Sequence, residues 1–426
     1  PAKRRREQAL IDSIIAERVK DTGAAADAAS WPRWFQRVTR QNEALTSIPA
    51  VAGNRAVLID DYQGSIDAMA GAIDEARDFV HVEFYIVAWD DTTRGFFSAM
   101  ERAVARGVRV RLLADWLASR KIPRSDETFA ELDRIGVTWS WMLPVQPLKG
   151  RYQRPDLRNH RKLVVVDGLV AFVGSQNLIS RDYDSPKNIA RGLRWQELMS
   201  RVEGPVVAGV NTVFLSDWLI ETGERLDGEH VPADRVPADA ASDALVCQIV
   251  PSGPGYETEN NLRLFLSLIY GATDRVILTS PYFVPDEAMV YAITTACQRG
   301  LEVQLFVSEI GDQGLVYHAQ RSYYTALLEA GVRIFLYPAP YILHAKHFSI
   351  DDDIAVIGSS NMDIRSFSLN MEVSMMVRGA SFVTQMRAVE QAYRDAGREL
   401  TLERWRREPA KATFLDGLAR LTSALN

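Results

Sequence analysis

One chemical signature occurs twice in this chain. His160-x-Lys162-x4-Asp167 lies in NHRKLVVVDGLVAFVGSQN, and His344-x-Lys346-x4-Asp351 lies in LHAKHFSIDDDIAVIGSSN. Each copy is followed at the same distance by a Gly-Ser-x-Asn turn, Gly174 to Asn177 and Gly358 to Asn361. With six His in 426 residues, two chance copies with matching turns would be rare. A chain built this way folds as two like halves and draws its chemistry from both.

The flanking segments repeat in the same order. Arg106-Gly107-Val108, leading to Leu113, is echoed by Arg299-Gly300-Leu301, leading to Phe306, and Gly136-Val137 is echoed by Gly331-Val332. Each half reads as a strand (HVEFYIV; RVILTSPYF), a helix, the Arg-Gly strand, a helix, the Gly-Val strand and then the His-x-Lys strand. Strands alternating with helices at this spacing predict an α/β sheet in each half. Between the halves, GERLDGEHVPADRVPADAASDA is rich in Pro, Ala and Asp and reads as a linker. The predicted division is a helical N-terminal segment, 1–50, a first half, 51–240, and a second half, 241–426. The helical stretch FVTQMRAVEQAYRDAGRELTLERWRRE is predicted to pack outside the second half.

Composition narrows the chemistry. At 47% hydrophobic and 24% charged the chain is globular, with ample core. Two cysteines, Cys247 and Cys297, supply neither a disulfide framework nor a zinc cluster and read as inert core thiols. A net charge of -6 argues against nonspecific grip on nucleic acid. The N-terminus is locally basic, with KRRR at residues 3–6, and SWPRWFQRVTRQ interleaves Trp31, Trp34, Phe35 and Val38 with Arg33, Arg37 and Arg40. That pattern suits either a helix packed on the domain or one lying at a membrane interface. No run of 18 apolar residues is present to span a bilayer.

Strand parity selects among the polar residues. Residues i and i+2 share a face, so His160 projects with Lys162 and His344 with Lys346, while His347 faces the other way. His81 and His318 read as structural and His230 as a solvated linker residue. Two His, two Lys and two Asn (Asn177, Asn361), with Ser175 and Ser359, make a cationic pocket for a tetrahedral anion such as a phosphodiester. One neutral imidazole can attack phosphorus while the other serves as acid and then base, and Lys, Asn and Ser hold the nonbridging oxygens. The scheme requires no metal and no cofactor. An attacking imidazole needs its far nitrogen held, and Glu197 and Glu372, on matched apolar strands, are each predicted to orient the His of their own half. Asp167 and Asp351 complete the six-residue catalytic signature but reverse facing, which predicts a structural role at the strand end.

These residues resemble the phospholipase D superfamily and, within it, the bacterial cardiolipin synthases. The resemblance runs through most of residues 54–425, including PSGP at 251–254, SPYFVPDEA at 280–288, LHAK at 343–346 and GSSNMDIRSFSLNMEVSMMV at 358–377. Glu197 departs from the Asp often found there. The resemblance implies a phospholipase D fold, with two pseudo-twofold-related α/β/α sandwich halves and the active site at their interface. It implies a transphosphatidylase joining two phosphatidylglycerol molecules with release of glycerol, through a phosphohistidine on His160 with His344 as acid and base. It also implies a membrane-embedded segment ahead of the basic start. This portion would then be soluble or peripheral at the cytoplasmic face of the bacterial membrane, meeting an anionic lipid surface and no nucleic acid. The alternatives are a phospholipase D-type hydrolase, a nuclease using the same signature, and a noncatalytic lipid-binding module. Oligomeric state is not legible in the sequence.

Overall fold

The structure, a computed structural model, describes residues 30–146, 151–229, 244–253, 256, 259–409, 416 and 419. Helix α1 (Arg33–Thr46) precedes the first strand. The first half contains β1 (Val51–Ile59), α2 (Tyr62–Glu75), β2 (Phe79–Phe84), α3 (Arg94–Ala105), β3 (Arg109–Asp115), α4 (Ser125–Ile135), β4 (Thr138–Met142), β5 (Lys162–Val166), β6 (Val170–Gly174), β7 (Arg194–Gln196), β8 (Met199–Glu203) and α5 (Val206–Thr222). The second contains β9 (Leu245–Ser252), α6 (Asn260–Gly271), β10 (Arg275–Thr279), α7 (Glu287–Gln298), β11 (Glu302–Ser308), α8 (Gly314–Arg321), α9 (Tyr324–Ala330), β12 (Arg333–Tyr337), β13 (Tyr341–Leu343), β14 (His347–Ile350), β15 (Ile354–Gly358), β16 (Glu372–Arg378), α10 (Ala380–Ala396) and β17 (Arg398–Leu400).

Fifteen of these strands form one sheet, in the order β17-β12-β11-β10-β14-β15-β16-β9-β1-β8-β6-β5-β2-β3-β4. Read outward from the β9/β1 seam, the two halves list equivalent strands in the same order, as a twofold relation requires. The strands preceded by βα crossovers, β2-β3-β4 and β10-β11-β12, pair in parallel, and the rest of each half is antiparallel. The two predicted sandwiches are therefore fused edge to edge. β1 meets β9 antiparallel, with Val51 opposite Cys247, and the Asn54 amide donates across the seam to Leu245 O at 3.1 Å. The pairing is short and irregular, with Asn54 opposite Leu245 after a register shift.

Helices cover both faces of the sheet. On one face α5 and α10 lie over a single core drawn from both halves, including Phe214, Trp218, Phe382, Met386 and Tyr393. The first thirteen residues of α5, from Val206 to Trp218, are all buried, as expected of a helix that is apolar all round. Helix α10 does not simply pack outside the second half as its sequence predicts. Gln385 accepts from Leu58 N at 3.0 Å and donates to Ala56 O at 3.2 Å, so the helix reaches across the seam onto β1. On the opposite face each half has its own core, under α2 and α3 in the first and under α6, α7 and α9 in the second.

Helix α1 joins the second half's core, where Trp31, Phe35 and Val38 are buried. Arg33, Arg37 and Arg40 remain exposed. The aromatic face of this helix is thus covered by protein, and its arginines form the outer face. The KRRR cluster and His230 lie outside the described residues.

The Gly-Ser-x-Asn turn has a steric reason for its glycine. A Cβ on Gly174 would come within 2.8 Å of the Met199 Cα, and one on Gly358 within 2.8 Å of the Ser374 Cα, with neighbouring carbonyl oxygens closer still. Backbone of β8 and β16 occupies the space that a side chain would need. Gly358→Ala should lower stability by about 1–3 kcal/mol, the scale of a core overpacking change. Thermal unfolding would read this as a drop in Tm, and an unchanged Tm would contradict the steric account.

Candidate active site

Each His is carried to the centre by a backbone hook onto the other half. β13 pairs in parallel with β7, matching Leu343 with Gln196, and the His344 N–H donates to Gln196 O at 2.7 Å. The counterpart is an isolated parallel bridge between Asn159 and Met371, with the His160 N–H donating to Met371 O at 2.8 Å. In this register the next residue along the facing segment is Glu197 beside His344, and Glu372 beside His160.

The side chains close accordingly. His160 Nδ1 lies 3.0 and 3.1 Å from the two Glu372 carboxylate oxygens and 3.1 Å from Ser359 O. His344 Nδ1 lies 2.7 Å from Glu197 Oε1. The prediction that each Glu orients the His of its own half is thus corrected: both pairs are made across the halves. The serines are corrected as well. Ser175 Oγ donates to Glu197 Oε2 at 2.6 Å and Ser359 Oγ to Glu372 Oε2 at 2.5 Å, and both residues are fully buried. They fix the carboxylates and do not face a bound anion.

Burial is the main force on the imidazoles. It pulls His160 down to about 4 and His344 down to about 3, against the pull of the paired carboxylates, and the charges of Lys162 and Lys346 add to the lowering. Burial alone would raise Glu197 and Glu372, but the imidazoles, lysines and serine hydroxyls outweigh it and leave both below the usual carboxylate range. The consistent state is an ionised Glu accepting from Nδ1–H of a neutral His, which leaves Nε2 of each ring free.

Both rings line one cavity of about 390 Å³, together with Asn177, Asn361, Tyr85, Tyr282, Arg158 and Arg365 among others. Asn177 is held by Ile86 N at 3.2 Å and Tyr183 OH at 2.9 Å. Lys162 and Lys346 stand behind the rings, donating at 2.5 Å to the carbonyl oxygens of His160 and His344, and are not among the lining residues. Burial lowers both ammonium groups, Lys346 to about 8.

Asp167 and Asp351 lie at the far ends of β5 and β14. A five-residue strand separates Lys162 from Asp167, roughly 16 Å at 3.3 Å per residue. Asp167 accepts from the backbone of Arg77, Asp78 and Phe79 at 2.8 to 2.9 Å, and Asp351 does the same for Thr273, Asp274 and Arg275. Both tie a strand end to the start of its neighbour, away from the cavity. His81 is likewise held inside the first half by Asn211 and Glu229, each at 2.7 Å, and His318 contacts Asp416 at 2.7 Å.

Three features escape motif reading. Tyr85 packs edge-on against His160 at 5.0 Å and Tyr282 against His344 at 6.1 Å, and their repeat signal is Tyr-Ile-Val against Tyr-Phe-Val after the first strand of each half. Arg161, between His160 and Lys162, is fully buried, pairs with Asp217 and donates to Glu372 O at 3.1 Å, whereas the second half has Ala345 there. The third is the cation pair Arg158 and Arg365 in the cavity wall.

A pseudo-twofold sheet carrying doubled His-x-Lys segments around one central cavity defines the phospholipase D-like class. Residues 69–218 and 265–392 match the family described as cardiolipin synthase, phospholipase D-like domain. Curated relatives named cardiolipin synthase A include those of Proteus mirabilis, 32% identical over 89% of this chain and 77% of the relative, and Pectobacterium carotovorum, 32% identical over 86% and 74%. Among solved structures, phosphatidylserine synthase of Haemophilus influenzae superposes with a TM-score of 0.67 at 13% identity, covering 91% of this chain and 97% of that one. The chain belongs to the cardiolipin synthase family of phospholipase D-like proteins.

Two measurements probe this geometry. In a ¹⁵N-histidine NMR experiment, Glu372→Gln should disturb the tautomer of His160 and leave His344 in place, with activity falling by about 10³–10⁴, as when a histidine loses its orienting carboxylate. Disturbance of His344 instead would refute the crossed pairing. The second concerns His347, which is buried, has no partner for either ring nitrogen among the described residues, and is lowered by burial to about 3. Its folded value lies below the unfolded one of about 6.5, so the unfolded chain takes the proton first and stability falls as pH drops from about 6.5 toward 3. His347→Leu should flatten that fall by about 1.4 kcal/mol per pH unit, measured by urea unfolding at several pH values.

Proposed function

We propose that this protein is a cardiolipin synthase that moves a phosphatidyl group from one phosphatidylglycerol to another and releases glycerol. The observation that carries the reading is the pair of neutral imidazoles, each braced by a carboxylate of the other half, lining one cavity. His160 Nε2 attacks phosphorus and the bond to the first glycerol oxygen breaks. His344, protonated, gives its Nε2 proton to that oxygen. The second lipid's glycerol hydroxyl then returns a proton to His344 and attacks the phosphohistidine, which frees His160.

Charge supports this order of events. In the free protein burial keeps His344 neutral, and a phosphodiester anion brought into the cavity favours its protonated form. Lys162 and Lys346 act on both rings and add positive potential where negative charge builds on the nonbridging oxygens. Asn177 and Asn361 supply amide groups at the same wall. Among the described residues no helix is long and apolar enough to cross a membrane. We assign the described portion to the surface of an anionic membrane, on its cytoplasmic side, where its lipid substrate is presented.

Incubation with phosphatidylglycerol vesicles should yield cardiolipin and glycerol in equal amounts by mass spectrometry. Phosphatidic acid as the main product would instead identify a hydrolase, and cleavage of plasmid DNA without lipid turnover a nuclease. His160→Ala and His344→Ala should each lower turnover by orders of magnitude, because neither remaining ring can complete both proton and phosphorus transfer. A phosphoenzyme trapped by alkaline denaturation, which spares the acid-labile P–N bond, should carry its label on His160; a label on His344 would reverse the two roles.

A further inference from the structure

The acceptor in this reaction is itself an anion. A phosphatidylglycerol molecule arriving at the phosphohistidine carries its own phosphodiester, three carbons from the attacking hydroxyl. An aqueous cavity that takes this molecule in preference to water gains from a second set of cationic donors at that spacing. In the proposed reaction the two imidazoles meet the first phosphorus, and other groups have to meet the second.

The cavity wall holds such groups at the His160 side only. Arg158 and Arg365 both line it. The Arg158 backbone accepts from Met371 N at 2.8 Å, and Asn370 N donates to Arg365 O at 2.9 Å, which brings both arginines to the same corner. Both act on the Tyr85 phenol, whose ring packs against His160. Asp115 positions Arg158, accepting from its Nη1 at 3.2 Å, while Nη2 donates to Leu143 O at 3.0 Å. Arg158 Nε is buried and has no hydrogen-bond partner among the described residues. Arg365 is half-buried and donates from Nη2 to Asp156 O at 3.2 Å.

The pseudo-symmetric positions carry no such pair. Ile342 stands where the first half has Arg158. Arg181 stands where the second half has Arg365, but it is not among the lining residues: its Nε donates to Trp195 O at 2.9 Å, its Nη2 donates to Gln196 Oε1 at 2.5 Å, and it lies over the Tyr341 ring. At the His344 side the wall presents Asp312 instead, one of whose carboxylate oxygens has no partner among the described residues, and Asp363 lines the cavity as well. The wall thus carries both signs, with Arg158 and Arg365 grouped beside Tyr85 and His160 and the carboxylates of Asp312 and Asp363 elsewhere along it.

We propose that Arg158 and Arg365 form a second anion subsite, which holds the phosphodiester of the acceptor lipid while its glycerol hydroxyl attacks the phosphohistidine. This inference rests on the transphosphatidylase reading above. It makes the two arginines determinants of acceptor choice, because a neutral alcohol or water gains nothing from them.

The test uses the whole chain, with phosphatidylglycerol vesicles as phosphatidyl donor and two soluble acceptors, deuterated glycerol and glycerol 3-phosphate, in competition, the label marking transfer to glycerol. The wild-type protein should transfer to glycerol 3-phosphate in preference by about tenfold, the scale of one charge-assisted pair, and Arg365→Gln should remove that preference. The same variant should shift the product ratio from cardiolipin toward phosphatidic acid by a similar factor. Arg365, half-buried, is the first choice because Arg158 is packed against Asp115, and Arg365→Lys should restore part of the preference and so exclude a folding defect. Equal use of the two acceptors by the wild type, or a preference that survives in Arg365→Gln, would overturn the subsite. A wild-type protein with no phosphatidyl transfer to any acceptor would instead overturn the transphosphatidylase reading.

Discussion

The crossed imidazole–carboxylate pairs are the constraint on which the rest of the structure depends. Glu197 and Glu372 are buried beside Lys162 and Lys346, and each holds the ring of the other half. Four charges without water are tolerable only when they neutralise one another, since breaking a buried pair typically costs about 3–5 kcal/mol. Separating the halves would strand both carboxylates. The active site and the interface between the halves are therefore the same set of contacts, and the fused sheet with its shared α5 and α10 core holds that interface in register.

The symmetry is used and then broken. Serine, glutamate, histidine and lysine recur in both halves with like partners, which suits a reaction that passes through two similar displacements at one phosphorus. Around them the halves differ. Arg161 reaches Asp217, Ser252 O and Glu372 O, while Ala345 at the matching position reaches none of these. Arg158 faces the cavity where the other half has Ile342. Two chemically equal imidazoles thus sit in unequal surroundings.

Much of this was legible in the chain. The strand and helix order, the α/β class and the placing of His347 off the catalytic face follow from repeat order and strand parity. Asp167 and Asp351 were separable from the catalytic His by the same parity. Other features were not. Glu197 and Glu372 stand out as acids at matched places in apolar segments, but a sequence repeat makes the partner in the same half the natural choice. Ser175 and Ser359 read as anion ligands because a hydroxyl beside an Asn in a turn can face either way. Helix α1 showed aromatic and basic residues at helical spacing, a pattern that a protein core and a membrane surface satisfy equally.

By itself the sequence determined that the molecule has two like halves, that each carries one His and one Lys on the same face of a strand, and that a glycine precedes each of the paired serines. Those properties follow from local periodicity and from residue chemistry, which do not depend on how distant segments meet. The tertiary structure alone decided which Glu serves which His, that the serines hold carboxylates, and that Arg158 and Arg365 bring extra positive charge to the wall. These depend on the parallel bridges of Asn159 with Met371 and of Leu343 with Gln196, which set side chains 212 and 147 residues apart into contact. A register between such distant segments is fixed by the packing of the whole sheet, and a shift of one residue would turn each Glu to the opposite face.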